Sequence, residues 1–285
     1  MITAQDELSR AGVGERFFDC VSIDFSEPER GLFGLVRITR FPNRDASTAV
    51  AVLFAGGEPI VAERMERDAP LDSWQEAGVD GIRMETTAPL ERWRLALKRD
   101  DVTVELDAAA ASVPLELAPP ADAGVEGYEQ LCELSGIVDA GGKLHPFRGR
   151  GRRVHRWGSL DWGRLELWRS LYASSGEAAV LLAAVRPRGS AGHAQELTTA
   201  RLLEQGTPVE LENVRLSTVY SADRLPSKAG LELFRTGDEL PRRAGGAAVC
   251  GATIELEHER LDLSFFRWSL EGEPAFGCYE TLAPR

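Results

Sequence analysis

The residues best suited to chemistry lie together in Gly149-Arg-Gly-Arg-Arg-Val-His-Arg-Trp-Gly158, followed by Asp161-Trp162. His155 and Trp157 stand two residues apart, a spacing that puts both side chains on one face of a strand. An imidazole there can fix a polar group or carry a proton near neutral pH, and an indole beside it can wall an apolar ligand. The pair also suits a purely structural role, as a packed indole and a hydrogen-bonded histidine bracing a barrel entrance. Asp161 and Trp162 fit a structural role better, with Asp161 accepting from a nearby arginine or backbone N–H. Arg148, Arg150, Arg152, Arg153 and Arg156 form a local basic spot. It reads as a solvated loop paired with surface acids rather than as an anion clamp.

Other chemistry has less to rest on. His145, His193 and His258 are isolated, and Cys20, Cys132, Cys250 and Cys278 lie far apart with no Cys-x-x-Cys pair. Neither a metal site nor a redox pair is expected, and the cysteines read as small core residues. His258 extends the Ile254/Leu256 face, as a barrel histidine would. The glycine-rich runs match no phosphate-binding pattern, and there is no Gly-x-Ser-x-Gly elbow, so no cofactor is expected.

The elements that must position this segment are strands. In Arg92–Lys98, Trp93, Leu95 and Leu97 alternate with charged or small residues, and Val102, Val104 and Leu106 alternate with Thr103, Glu105 and Asp107. With the turn-like Arg99-Asp100-Asp101 between them, the two runs predict a hairpin. Similar alternation marks Val36/Ile38, Val50/Val52/Phe54, Ile82/Met84, Val214/Leu216, Leu231/Leu233, Ile254/Leu256 and Leu261/Leu263/Phe265. Tyr128–Val138 predicts a strand reversed by Asp139-Ala-Gly-Gly142, whose glycines supply positive φ. Helix is expected only as a short turn at 69–77 and a loose arm over the first sixteen residues. The Ala/Pro-rich stretch Ala108–Gly127 predicts a boundary, giving β domains at 1–120 and 121–285. Arg92-Trp-Arg-Leu95 and Arg267-Trp-Ser-Leu270 are a faint echo of duplication.

Composition bounds the function. The 285 residues are 43% hydrophobic, enough for a real core, and the net charge of −12 argues against a nucleic-acid or anionic-membrane binder. Met1–Arg16 carries acids and no apolar run, so no secretory signal is expected. No stretch approaches the ~20 apolar residues of an integral membrane segment, and a cytoplasmic location is expected.

The run Gly149-x-Gly151-x-Arg153-x-His155-x-Trp157-Gly158 with Asp161-Trp162 resembles the signature of the lipocalin-like carotenoid-hydratase (hydroxyneurosporene synthase) superfamily. Gly127-Tyr-Glu-Gln130 and Tyr279-Glu280 are similar to its uncharacterised bacterial branch. The resemblance implies an all-β chain of two consecutive lipocalin-like antiparallel β-barrel halves, with His155 and Trp157 at the mouth of a ligand cavity. Ligand-binding candidates are then Tyr128, Arg153, His155, Trp157, Asp161 and Trp162. This chain departs from the family at Val154, where members commonly carry Asp, and at Val180–Val185, where the hydratases carry an acid. In the hydratases that acid, a Tyr and an Asp, protonates an alkene, so its absence at Val180–Val185 argues against carotenoid hydration. Two functions stay open. One is a binder of a hydrophobic small molecule (isoprenoid, fatty acyl or steroid-like), since an eight-stranded barrel is just wide enough for one small ligand. The other is a cofactor-independent hydratase, isomerase or cyclase with His155 as catalytic acid or base, and Tyr128 and Glu129 in second rank. A filled barrel serving as an interaction scaffold is the blandest alternative.

Overall fold

The computed structural model describes residues 2–67, 69, 71, 73–117, 123–192 and 195–285. Among these, strands dominate, the helical elements are two 3-10 turns (Ala4–Glu7 and Pro28–Arg30), and no helix is long and apolar enough to cross a membrane. The first sheet contains β1 (Phe18–Glu27), β2 (Leu32–Phe41), β3 (Ala46–Ala55), β4 (Glu58–Arg67), β5 (Glu76–Val79), β6 (Ile82–Ala88), β7 (Arg92–Arg99), β8 (Val102–Ala110), β9 (Leu115–Glu116), β10 (Val125–Ala140) and β11 (Lys143–Gly158). The second contains β12 (Leu165–Ser174), β13 (Ala178–Pro187), β14 (Leu197–Glu204), β15 (Thr207–Val209), β16 (Leu211–Tyr220), β17 (Pro226–Arg235), β18 (Arg242–Glu255), β19 (Glu259–Leu270) and β20 (Glu273–Pro284).

Both sheets are antiparallel and close on themselves to nearly complete barrels. Their orders are β4-β3-β2-β1-β11-β10-β8-β7-β6-β5, with β9 paired to β10, and β15-β14-β13-β12-β20-β19-β18-β17-β16. In each, the first strand of the meander pairs with the last, so the two sheets repeat one topology. Arg67 Nη1 donates to the Gly78 carbonyl (2.9 Å) across the open edge of the first barrel. The predicted hairpin is β7–β8, reversing at Asp100 with φ 47°. The predicted β10 reversal falls at Gly141 (φ 62°) and Gly142 (φ 76°), where glycine meets no Cβ penalty.

Period-two burial holds on most strands. Trp93, Leu95, Leu97, Val104 and Leu106 face one core, and Leu171, Leu182, Leu231, Phe266 and Trp268 face the other. Each such side chain contributes roughly 1.5–3 kcal/mol by leaving water. On β3 the core face is Ala49, Ala51 and Leu53; Val50, Val52 and Phe54 are buried on the opposite face, so alternation alone could not rank the two.

Four expectations are corrected. The chain divides into one compact unit of Met1–Glu116 with Val125–Ser159 and another of Leu117–Gly124 with Leu160–Arg285, not at 120/121. The reason is that β10 and β11 hydrogen-bond to β8 and β1, completing the first sheet. The alanines at the end of β8 belong to that sheet, and Ala108 lies opposite Trp93, where a small side chain leaves room for the indole. Second, no helix is present among the described residues of 69–77: the segment ends in β5, and its Trp74 is buried. Third, Trp93 and Trp268 stand on topologically different strands, so the Arg-Trp echo is not the trace of the repeat. Fourth, His258 is an exposed turn residue beside Glu257 (3.3 Å), not a barrel histidine. His193 lies outside the described residues.

Candidate functional site

The segment 148–156 is strand, not solvated loop, and strand alternation sorts its arginines. Gly151, Arg153, His155 and Trp157 point into the first barrel, while Arg152, Val154 and Arg156 point the other way. The signature glycines are steric: a Cβ on Gly151 would collide with the Asp24 carbonyl, and one on Gly149 with the Ser26 carbonyl. On the opposite face, buried Arg152 binds Asp24 (3.1 Å) and Glu129 (2.8 Å), and Arg156 also binds Glu129. Glu129 is therefore committed to ion pairs on the face away from His155.

Inside the barrel, register brings together residues far apart in sequence. His155 lies opposite Val21 on β1 and Tyr128 on β10; Asp19 lies opposite Trp157, and Gln130 opposite Arg153. Asp19 reaches diagonally to His155, with Oδ1 2.8 Å from Nε2. Its Oδ2 accepts from Trp74 Nε1 (2.9 Å) and from the Arg10 backbone N–H (2.8 Å). An ionised carboxylate only accepts, so it fixes the proton on His155 Nε2 and leaves Nδ1 as an acceptor. Nδ1 has no hydrogen-bond partner among the described residues. The ring is walled by Trp157 (5.1 Å), Tyr128 (5.6 Å) and Trp74 (6.0 Å), all edge-on. Burial lowers the pKa of His155; the bond to Asp19 opposes this and the nearby Arg153 charge reinforces it, so the imidazole is neutral at pH 7.

Arg153 is 1% exposed. It donates to Tyr128 Oη (3.1 Å) and Glu7 Oε2 (2.5 Å), and its guanidinium stacks on Trp93 at 4.9 Å. Burial raises the Tyr128 pKa despite that arginine, so the phenol stays protonated. Trp157 is half-buried, covered by Arg10 at 4.1 Å, and donates to Glu126 Oε2 (3.2 Å). Tyr128, Arg153, His155 and Trp157 thus share one face of the first barrel.

Asp161 and Trp162 belong to the second unit. Asp161 Oδ1 accepts from the Gly163 N–H (3.0 Å), and Trp162 Nε1 donates to Glu259 (2.9 Å), so both shape the entry to β12. Sequence reasoning missed Asp19, Trp74, Glu7 and Gln130. A signal did exist for Asp19, an acid within the otherwise largely apolar run Phe17–Phe25, but nothing local named its partner. It also missed the second barrel's buried Arg169, which donates to Tyr279 Oη (3.0 Å) and Thr218 Oγ1 (2.8 Å) and pairs with Glu196.

A family model described as "Domain of unknown function (DUF7064)" matches residues 3–284. The chain belongs to this family. No curated protein matches it. Among solved structures, an AttH-like protein from Nitrosomonas europaea superposes with TM-score 0.71 at 13% identity, over 94% of this chain and 92% of that one. CghA in complex with Sch210972 gives 0.65 at 12% identity, over 95% and 89%. Kievitone hydratase from Nectria haematococca gives 0.62 at 12% identity, over 94% and 88%. At these identities the likeness is one of fold: this DUF7064 member shares the double lipocalin-like barrel architecture of these structures.

Proposed function

We propose that the first barrel of this DUF7064 chain receives one hydrophobic small molecule bearing a polar group, in the isoprenoid, fatty acyl or steroid-like class. The carrying observation is the buried His155, oriented by Asp19, with Nδ1 unpartnered and three aromatic rings around it. Aromatic walls favour an apolar body, and Nδ1, Tyr128 and Arg153 offer polar anchors. The fold supports this reading, since one neighbour was solved with Sch210972. Asp161 and Trp162 are assigned to structure, not to the ligand.

The Asp19–His155 pair supports acid–base catalysis as a second reading. Nδ1 can take a proton from a bound substrate while Asp19 stabilises the imidazolium, and return it to another atom of the same molecule, which is an isomerisation. The name of kievitone hydratase agrees with barrel chemistry of this general kind. Native mass spectrometry of the purified protein tests the first reading, the expected result being an apolar molecule that co-purifies. His155→Gln separates the two. A binder keeps most of its affinity, whereas an enzyme keeps affinity and loses turnover by about a hundredfold or more.

A further inference from the structure

Resting on the reading of the first barrel as a receptor, we infer that its Arg153–Tyr128 pair receives the carboxylate of an organic acid, and that Glu7 is a displaceable stand-in for that group.

The leading segment is held by charge. Glu7 is 4% exposed, while the adjacent Leu8 is 53% exposed and Val13 is 91% exposed. A segment packed for the hydrophobic effect would bury the leucine and leave the glutamate in water. Here the glutamate is inside, with Oε2 on Arg153 Nη2 (2.5 Å) and Oε1 accepting the Leu90 N–H (3.1 Å). Leu90 holds a left-handed φ of 61°, a costly conformation for leucine, and its amide is directed at that carboxylate. The segment's further ties include the Arg10 N–H to Asp19, the Arg10 guanidinium over the Trp157 ring (4.1 Å), and Asn43 to the Gly12 and Gly14 carbonyls.

The receptor is larger than Glu7 uses. Arg153 Nε, Trp93 Nε1, Gln130 Oε1 and His155 Nδ1 are all buried without a hydrogen-bond partner among the described residues. Three of these residues pack on or pair with Arg153 or its strand: Trp93 under its guanidinium, Gln130 opposite it, His155 two positions along. Unpartnered buried polar atoms are rare because each costs the desolvation of its group. A ligand with a carboxylate and a further polar group would engage them.

The second barrel repeats the chemistry from different strands. Arg169 donates to Tyr279 Oη (3.0 Å), and its carboxylate partner Glu196 comes from the connection before β14. The Glu196 side chain is 3% exposed beside Leu197 at 38%. An arginine–tyrosine pair closed by a carboxylate from outside the strands is thus built twice, as expected of a site that selects carboxylates through charge-assisted bonds.

Chemical rescue tests the assignment. Glu7→Ala is expected to melt below wild type and to regain stability saturably with sodium butyrate, but not with butyramide or sodium chloride. With cis-parinaric acid and its methyl ester as fluorescent probes, Glu7→Ala is expected to bind the acid at least tenfold more tightly than wild type does. The ester should be unaffected, and adding Arg153→Met should abolish the gain. Should Glu7→Ala not fold, hydrogen exchange on wild type decides: the acid, not the ester, should speed exchange over residues 2–16. Equal rescue by butyrate and butyramide, or equal gains for acid and ester, overturns the inference while leaving a hydrophobic receptor in place. If neither probe binds but butyrate still rescues, the receptor reading fails and the carboxylate site stands.

Discussion

Asp19→Asn probes the wiring of the site most sharply. Three donors converge on two carboxylate oxygens: His155 Nε2 on Oδ1 at 2.8 Å, and Arg10 N (2.8 Å) and Trp74 Nε1 (2.9 Å) on Oδ2. Asparagine has the same shape but only one accepting oxygen. With that oxygen at the Oδ2 position, two bonds survive and the NH₂ faces His155. The ring must then change tautomer, Nε2 becoming the acceptor and Nδ1 the donor. A bond to a charged acceptor contributes ~1.5–3 kcal/mol and a neutral one ~0.5–1.5 kcal/mol, so three weakened bonds cost about 3 kcal/mol. Relief of the carboxylate's desolvation offsets part of this, leaving a loss of about 2–3 kcal/mol. For a unit of this size that lowers Tm by about 4–12 °C. Calorimetry reads the stability, and ¹⁵N shifts of the imidazole read the tautomer. A variant within about 0.5 kcal/mol of wild type, with the proton still on Nε2, would refute the account of Asp19 as a triple acceptor.

The remaining predictions concern the same strands. Because the folded pKa of His155 lies below its unfolded value, the residue leaves stability unaffected above about pH 6.5. Below that, the unfolded chain takes up a proton that the folded chain refuses, and stability falls with a limiting slope of about 1.4 kcal/mol per pH unit. Urea melts between pH 7.5 and 5 should show this for wild type and a shallower slope for His155→Gln; parallel slopes would contradict a buried neutral imidazole. Gly151→Ala drives a methyl into the Asp24 carbonyl and is expected to cost about 3 kcal/mol or more, read by denaturant unfolding, since the obstacle is backbone that cannot swing aside. Arg152→Met takes the guanidinium from Asp24 and Glu129 and is expected to cost about 3–5 kcal/mol in the same assay, whereas the exposed Arg94→Met should leave the unfolding midpoint almost unmoved.

Much of the fold was readable in the chain because strand burial is a local code. The alternation in Trp93–Leu97 and Val102–Leu106, with charges between, is enough to draw β7 and β8. It fails where both faces are buried, as on β3, and where alanine fills a sheet rather than a linker, as at Ala108. The pairing of His155 with Trp157 on one face followed from spacing alone. The segregation of Arg152 from Arg153 follows from the same rule once the segment is a strand; it was missed because glycine and arginine density suggested a loop.

Composition and period-two patterning by themselves determined the all-β class, the hairpins and the shared face of His155 and Trp157, since each depends on neighbours along the chain. Tertiary structure alone decided the partners. Asp19 lies 136 residues from His155 and Glu7 lies 146 from Arg153, and each is delivered by antiparallel register or by a segment folded over the barrel end. Register between strands so far apart is set by the closure of the whole sheet, because a slip of one residue would turn every inward side chain outward.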